Sequence, residues 1–187
     1  EIALSADRAL GEPEDPTELL LQFDARIAHI LLDEFQDTSF GQFRLIEKLT
    51  AGWTPGDGRT LFLVGDPMQS IYRFREAEVG LFLKARRDGI GGLPLTPLTL
   101  SANFRSQAQL ISWINDAFPA IFPEKEDEGL GAVSFSPSHP VRDALGGLAV
   151  TVTPDGDRDD AAEAAAVIAL VRSAAQEHPE GTTAVLV

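Results

Sequence analysis

Two short apolar runs stop abruptly on acidic residues: Ile30-Leu-Leu32 meets Asp33-Glu34, and Thr60-Leu-Phe-Leu-Val64 meets Gly65-Asp66-Pro67. Runs this short, apolar at successive positions, read as strands of a parallel sheet covered on both faces. Between them, Ser39-Phe-Gly-Gln42 carries the reciprocal capping pattern of a helix start. Phe40, Phe43, Ile46 and Leu49 then follow at helical spacing, and Thr54-Pro-Gly-Asp-Gly58 reads as a turn. Strand, helix and strand in that order imply an α/β architecture. In such sheets ligands bind beyond the carboxyl ends of the strands, so the two adjacent acids Asp33-Glu34 place charge where a ligand would sit.

The remaining chain repeats the pattern less clearly. Residues 1 to 18, with Pro13, Pro16 and several acids, read as a loop or helix remnant. A helix is expected from about Glu76 to Arg87, stopping at Gly89. Gly89 to Pro97 reads as a hinge, and Leu98-Thr-Leu100 as a short strand leading into Asn103-Phe104-Arg105-Ser106. Ser106-Gln-Ala-Gln109 suggests a second capping box, with Leu110, Ile111 and Ile114 on one side of its helix. A strand at Gly146 to Thr153, an Ala-rich helix at Asp159 to Gln176 and a strand at Thr183 to Val187 complete the expectation.

Charge and composition narrow the function. A net charge of −14 argues against coating nucleic acid by bulk electrostatics, but not against a local basic track. The stretch Arg59 to Arg87 supplies six basic residues, while the acids gather in Glu12 to Glu18, Glu124 to Glu128 and Asp155 to Glu163. The chain has no cysteine, which excludes disulfides and thiolate metal sites and fits a reducing cytoplasm. No apolar run approaches a membrane span. The first residue is Glu1, and Thr182 to Val187 reads as a strand without an exit turn; both ends suggest a piece of a longer protein.

At the first strand end, Asp33 suits a Mg²⁺ ion held directly or through water, and Glu34 can polarise a water for attack on a phosphoryl group. Read alone, the pair could equally be a solvated strand end. Gln69, Arg105 and the rings of Tyr72 and Phe74 are likewise ordinary in isolation: a turn residue, a surface cation and packing groups. Arg73 and Arg75 alternate with the two rings, and that interleaving favours a nucleic-acid track over plain packing. His29, His139 and His178 show no metal-ligand spacing.

Three blocks taken together say more. Asp33-Glu34-Phe35-Gln36-Asp37, then Gly65-Asp66-Pro67-Met68-Gln69-Ser70-Ile71-Tyr72, then Asn103-Phe104-Arg105-Ser106 resemble motifs II, III and IV of superfamily 1 helicases of the UvrD/Rep type. The wording from Val64 to Ala77 most resembles the RecB/AddA branch, the exodeoxyribonuclease V beta-like motor subunits of bacterial helicase–nuclease complexes. The likeness is dense from about Ile27 to Phe122 and thin elsewhere.

The resemblance implies RecA-like P-loop NTPase sheets in two partial motor domains. Residues 1–94 would be the C-terminal part of the first, with Walker B and motif III, and 95–187 the N-terminal part of the second, with motif IV. It implies ATP and Mg²⁺ as cofactors, with Asp33 the metal acid, Glu34 the general base and Gln69 the γ-phosphate sensor. Arg105 would be the arginine that reaches the γ-phosphate from the second domain, and Phe104 would stack on adenine where relatives carry tyrosine. Tyr72 and Phe74 would stack on bases of single-stranded DNA, with Arg75 beside them; relatives often carry tryptophan where Phe74 stands. The implied activity is a cytoplasmic bacterial DNA helicase or translocase in double-strand-break repair and recombination. Its partners would be single-stranded and duplex DNA and the other members of a helicase–nuclease complex.

One departure matters. The lysines Lys48, Lys84 and Lys125 are followed by Leu, Ala and Glu, so the chain contains no G-x-x-x-x-G-K-[ST] phosphate loop. The expectation is therefore that this chain alone is inactive. Two other classes stay open on sequence grounds: a magnesium-dependent nuclease built from Asp33, Glu34, Asp37 and Asp66, and a degenerate motor kept for binding or assembly.

Overall fold

The computed structural model describes residues 2–12, 15–71, 78–144 and 159–185. It begins with helix α1 (Ile2–Leu10), and strands β1 (Gly11–Glu12) and β2 (Asp15–Pro16) pair antiparallel after it. Helix α2 (Glu18–Arg26) follows, started by Thr17, whose hydroxyl accepts from Leu20 N–H at 3.4 Å. The stretch expected as a loop or helix remnant therefore holds the nine-residue helix α1, and a second helix begins at its end.

Strands β3 (His29–Leu32) and β4 (Thr60–Leu63) pair in parallel, His29 opposite Thr60 and Leu32 opposite Leu63. Helix α3 (Phe40–Leu49) connects them, and its capping box is present in both directions: Ser39 Oγ accepts from Gln42 N–H, and Gln42 Oε1 accepts from Ser39 N–H at 2.8 Å. Helix α4 (Val79–Asp88) starts at Glu78, whose carboxylate accepts from Gly80 N–H, and ends at Gly89 with φ 79.

The core lies on one face of this pair. Phe35, Phe43, Ile46, Leu81, Ala85 and Ile90 are buried together, with Leu32, Leu61, Leu63, Phe82 and Leu95 packed against them. Side chains alternate along a strand, so Leu31 and Phe62 point the other way and are 69% and 54% exposed. Coverage of both sheet faces, expected from the apolar runs, is thus not found among the described residues; the core-forming helical residues of α3 and α4 share a single face. Phe40, expected in the packed stripe of α3, is largely exposed. A three-residue step falls short of the 3.6-residue turn, so the stripe drifts around the helix and its first member leaves the buried face.

Strand β5 (Ala102–Gln107) pairs in parallel with β6 (His139–Arg142), with an irregular register between Asn103 and Gln107. Helix α5 (Ala108–Ala117) follows β5 directly, with Gln107 at its N-cap position but no side-chain bond capping the first turn. The second capping box is therefore not formed, because Asn103 Oδ1 already accepts from Ser106 N–H at 2.8 Å and from Arg105 N–H at 3.0 Å. Leu98 to Leu100 forms no strand, and Leu100 is 95% exposed. Trp113 of α5 and, beyond the helix, Phe118, Phe122 and Phe135 form a small aromatic cluster with neighbouring centroids about 6 Å apart, edge-on, tilted or, for Phe118 and Phe122, stacked.

The chain divides into two compact units, 1–148 and 149–187. In the second, helix α6 (Asp160–Glu177) is capped by Asp159, whose carboxylate accepts from Ala161 and Ala162 N–H, close to the expected span. Residues 183–185 are not in a strand, and the expected strand at Gly146 to Thr153 lies outside the described residues. His29 Nδ1 bonds Thr60 Oγ1 across β3 and β4 at 2.9 Å, His139 opens β6, and His178 ends α6. Among the described residues no helix is long and apolar enough to cross a membrane.

A buried cation ties α1 to α3. Lys48 is 3% exposed, its Nζ 2.8 Å from Asp7 Oδ1 and donating to Asp7 O at 3.1 Å. The hydrogen bond from Lys48 holds the Asp7 carboxyl below its ordinary value of 3.8. Lys48→Met would leave Asp7 only the more exposed Arg44, 3.4 Å from its Oδ1, and we expect a loss of about 1–3 kcal/mol in urea unfolding. Because the folded value is depressed, this stabilisation is present above 3.8 and lost as pH falls through the folded value. The wild-type chain should therefore lose more stability on acidification than Lys48→Met.

Candidate active site

The β3–β4 ladder continues past both strands and brings their carboxyl ends together. Val64 N–H donates to Leu32 O at 2.8 Å, and Phe35 N–H donates to Val64 O at 2.9 Å. Phe35 then turns into the core, 2% exposed, with the rings of Phe43 and Phe82 at 6.3 and 6.1 Å. With the ladder on one side and the Phe35 anchor on the other, the chain must turn at Glu34. It does so in the left-handed region, φ 52 and ψ 38, the sole positive φ of a non-glycine among the described residues. That conformation costs an L-residue about 1–2 kcal/mol. Two bonds hold it: Glu34 N–H donates to Asp33 Oδ1 at 2.9 Å, and Glu34 O accepts from Asp37 N–H at 3.0 Å.

Gln36 joins this turn to the end of β4. Its side chain is buried, 2% exposed, and its Oε1 accepts from Asp66 N–H at 3.0 Å. A backbone N–H can only donate, so this bond fixes which end of the amide is oxygen. Nε2 is thereby turned to Glu34 and donates to Oε2 at 2.7 Å, with Asp37 Oδ2 further off at 3.5 Å. The approach requires Gly65: a Cβ there would lie 2.6 Å from Gln36 Oε1 and 3.1 Å from Gln36 N.

Asp66 organises the next turn, a 3-10 turn at Pro67–Gln69. One of its carboxylate oxygens accepts from Met68 N–H at 3.0 Å and the other from Gln69 Nε2 at 2.6 Å. The Ser70 hydroxyl sits 3.3 Å from Gln36 O and 3.2 Å from Asp37 Oδ1, a second tie between the two strand ends. Met68 Sδ accepts from Ser136 N–H at 3.4 Å.

Of the residues singled out from sequence, Asp33, Glu34 and Gln69 thus share one hydrogen-bonded cluster, exposed on its outer side. Phe104 and Arg105 lie on β5, both exposed, and among the described residues their side chains make no hydrogen bond or ion pair with that cluster. Tyr72, Arg73, Phe74 and Arg75 lie outside the described residues. Sequence reasoning includes Gln36 in the Asp33–Asp37 block without giving it a role, and gives Asp66 a role only as a ligand of the nuclease alternative. The available signal is a polar side chain placed directly after the Phe35 anchor, where the chain has to face inward.

The carboxylates do not assemble into a metal cage. Among the described residues no three His, Asp or Glu side chains converge on a metal position. Asp66 is engaged with Met68 and Gln69, and Asp37 with Ser70 and Gln36. A nuclease site with Asp33, Glu34, Asp37 and Asp66 as joint ligands does not fit this arrangement. A single exposed carboxylate does suit Mg²⁺, which commonly takes one or two protein carboxylates and completes its shell with water and substrate phosphates.

Residues 2–89 match the model of the UvrD/REP helicase N-terminal domain family. Over 125 residues the chain is 38% identical to an ATP-dependent helicase/nuclease subunit of Desulfitobacterium hafniense, an alignment covering 64% of this chain and 9% of that protein. A protein of the same name from Bacillus cereus is 39% identical over 129 residues, 67% of this chain and 10% of its own length. The matched stretch is therefore about a tenth of the length of these relatives. The likeness runs through the β3 and β4 segments, since both strand ends fall within residues 2–89.

The Glu34 backbone can be tested apart from its carboxylate. Glu34→Ala and Glu34→Gly both delete the bond to Gln36, but only glycine relieves the left-handed strain. We expect Glu34→Gly to exceed Glu34→Ala by about 1 kcal/mol in urea unfolding. Equal stabilities would contradict the left-handed assignment.

Proposed function

We propose that this chain is part of an ATP-dependent DNA helicase or translocase that acts on single-stranded DNA in double-strand-break repair and recombination. The observation that carries the reading is the union of Asp33-Glu34 with the Asp66–Gln69 turn at adjacent carboxyl ends of a parallel pair, bridged by Gln36. That is where an α/β sheet binds ligands, and hydrolysis of a phosphoanhydride needs an acid-held metal, a water-polarising base and a group that senses the terminal phosphate.

In this reading Asp33 holds the metal through its exposed carboxylate. Asp33 would hold Mg²⁺ there, and the ion would supply positive charge to offset that of the phosphates. Glu34 takes a proton from the attacking water; Gln36 occupies its Oε2, and among the described residues no hydrogen bond is placed on Oε1. Gln69, on a turn fixed by Asp66, carries an amide suited to donate to the γ-phosphate, and its other bonds let it report that contact to neighbouring residues. Arg105 supplies a planar cation from the second motor domain to the developing transition-state charge, and Phe104 offers its exposed ring to adenine. Tyr72 and Phe74 stack on bases, with Arg75 on the phosphate track. Residues 1–94 and 95–187 are then parts of the first and second RecA-like motor domains. Both relatives are named as one subunit of a helicase/nuclease, which supports further subunits as partners in a cytoplasmic bacterial complex.

The natural polypeptide that carries this sequence provides the test. Glu34→Gln should abolish DNA-stimulated ATP hydrolysis while nucleotide binding persists; retained turnover would remove Glu34 from the chemistry. The purified 187-residue chain, which has no phosphate-loop lysine followed by Ser or Thr, should show no DNA-stimulated hydrolysis above background. Robust turnover from it would show that the site is assembled in some other way.

A further inference from the structure

Gln36 has no part in the chemistry just described, yet it is the most enclosed polar group at the site. It is 2% exposed, and each end of its amide is committed: Oε1 to Asp66 N–H and Nε2 to Glu34 Oε2. A buried amide with both ends bonded has one orientation, because rotating it would set a donor against the Asp66 N–H and an acceptor against the Glu34 carboxylate. Glu34 needs such an external constraint. Its side chain is exposed and springs from a strained turn, and nothing else among the described residues is bonded to its carboxylate.

The same amide touches the other half of the cluster. Asp66 stands just past the end of β4, and its carboxylate fixes both Met68 N–H and the Gln69 side chain. Ser70 returns to Gln36 O and Asp37 Oδ1, so the turn is bonded to the Gln36 segment on both sides of Gln69. Gly65, one residue before Asp66, leaves the room in which Oε1 sits. A movement of the 66–70 turn therefore reaches Glu34 through one buried side chain of fixed orientation.

We infer that Gln36 is a positioning residue that holds the Glu34 carboxylate in its working orientation and ties that orientation to the Asp66–Gln69 turn. The inference rests on the hydrolytic reading of Glu34 given above. Gln36 itself contacts neither nucleotide nor water in the reaction; it acts by restricting where Glu34 points. Substrate binding is consequently left to other groups, and loss of Gln36 falls on turnover rather than on affinity.

The experiment measures ATP hydrolysis by the natural full-length polypeptide at saturating single-stranded DNA, in the wild type, Gln36→Met, Gly65→Ala and Glu34→Gln. Turnover is expressed per nucleotide-binding site, counted by titration with a fluorescent ATP analogue, so that unfolded molecules drop out of the ratio. Gln36→Met keeps the length of the side chain and deletes both bonds. Gly65→Ala leaves residue 36 intact and displaces Oε1 from the opposite strand. Both should lower kcat about 10–100-fold, as misplacement of a reacting group does, with KM for ATP within about twofold of wild type. Wild-type kcat per site in either variant overturns the inference. So does a parallel rise in KM with kcat preserved, and so does the absence of binding-competent protein from both variants, since the role would then be structural. Glu34→Gln separates the two failures: if it stays active, the hydrolytic reading falls; if it is silent while Gln36→Met turns over normally, only the role of Gln36 falls.

Discussion

The parallel pairing of β3 with β4 is the constraint on which the candidate site depends. Parallel strands deliver both carboxyl ends to the same edge, and the register from His29–Thr60 to Leu32–Leu63 leaves Asp33 level with Val64. The ladder then carries on through Phe35 N–H to Val64 O. An antiparallel pair would have sent Asp66 to the far edge from Asp33. A slip of one residue would have exchanged Leu32 and Leu63 for Leu31 and Phe62 on the core face. Register and chemistry are consequently one problem here: what buries Leu32, Leu61 and Leu63 also aligns Glu34 with Asp66.

Local signals are legible in the sequence where a single residue settles the matter. The Ser39–Gln42 box starts α3 because both reciprocal bonds can form within four residues, and Gly89 ends α4 because the chain there takes φ 79. The failures share another cause. Ser106 has the same local pattern, but Asn103 takes its backbone N–H first, and pairing with β6 keeps the chain extended through Gln107. Leu98 to Leu100 has the composition of a strand but no partner strand among the described residues, and a strand exists only as a member of a pair. Helix α2 is hidden by Pro16 and its acidic neighbours, although Thr17 followed by Glu18 is a serviceable start.

The candidate site shows the same division. Asp33 and Glu34 are legible because an apolar run that stops on two acids can be read directly, and Gln69 because it stands in a recognisable block. The bridging of Gln36 to Asp66 is not, since it lies in a bond between residues 30 positions apart. Distance along the chain also explains why Arg105 gains so little from the geometry: it shares no hydrogen bond or ion pair with the Asp33–Gln69 cluster among the described residues, and its role stands on likeness alone.

Glu34 gathers these points into one physical picture. A left-handed glutamate is unfavourable for its own backbone, and glycine would serve the turn better. The side chain present there is instead one whose Oε2 meets a buried donor while the rest of the carboxylate faces outward. The strain therefore coincides with the position where the proposed hydrolysis would use a carboxylate, next to an anchored Phe35 that prevents the turn from relaxing. Backbone strain, the Gln36 amide and the Asp66 turn restrict the same group from three directions. A carboxylate held in that way can direct a water without spending binding energy to arrange itself at the moment of reaction.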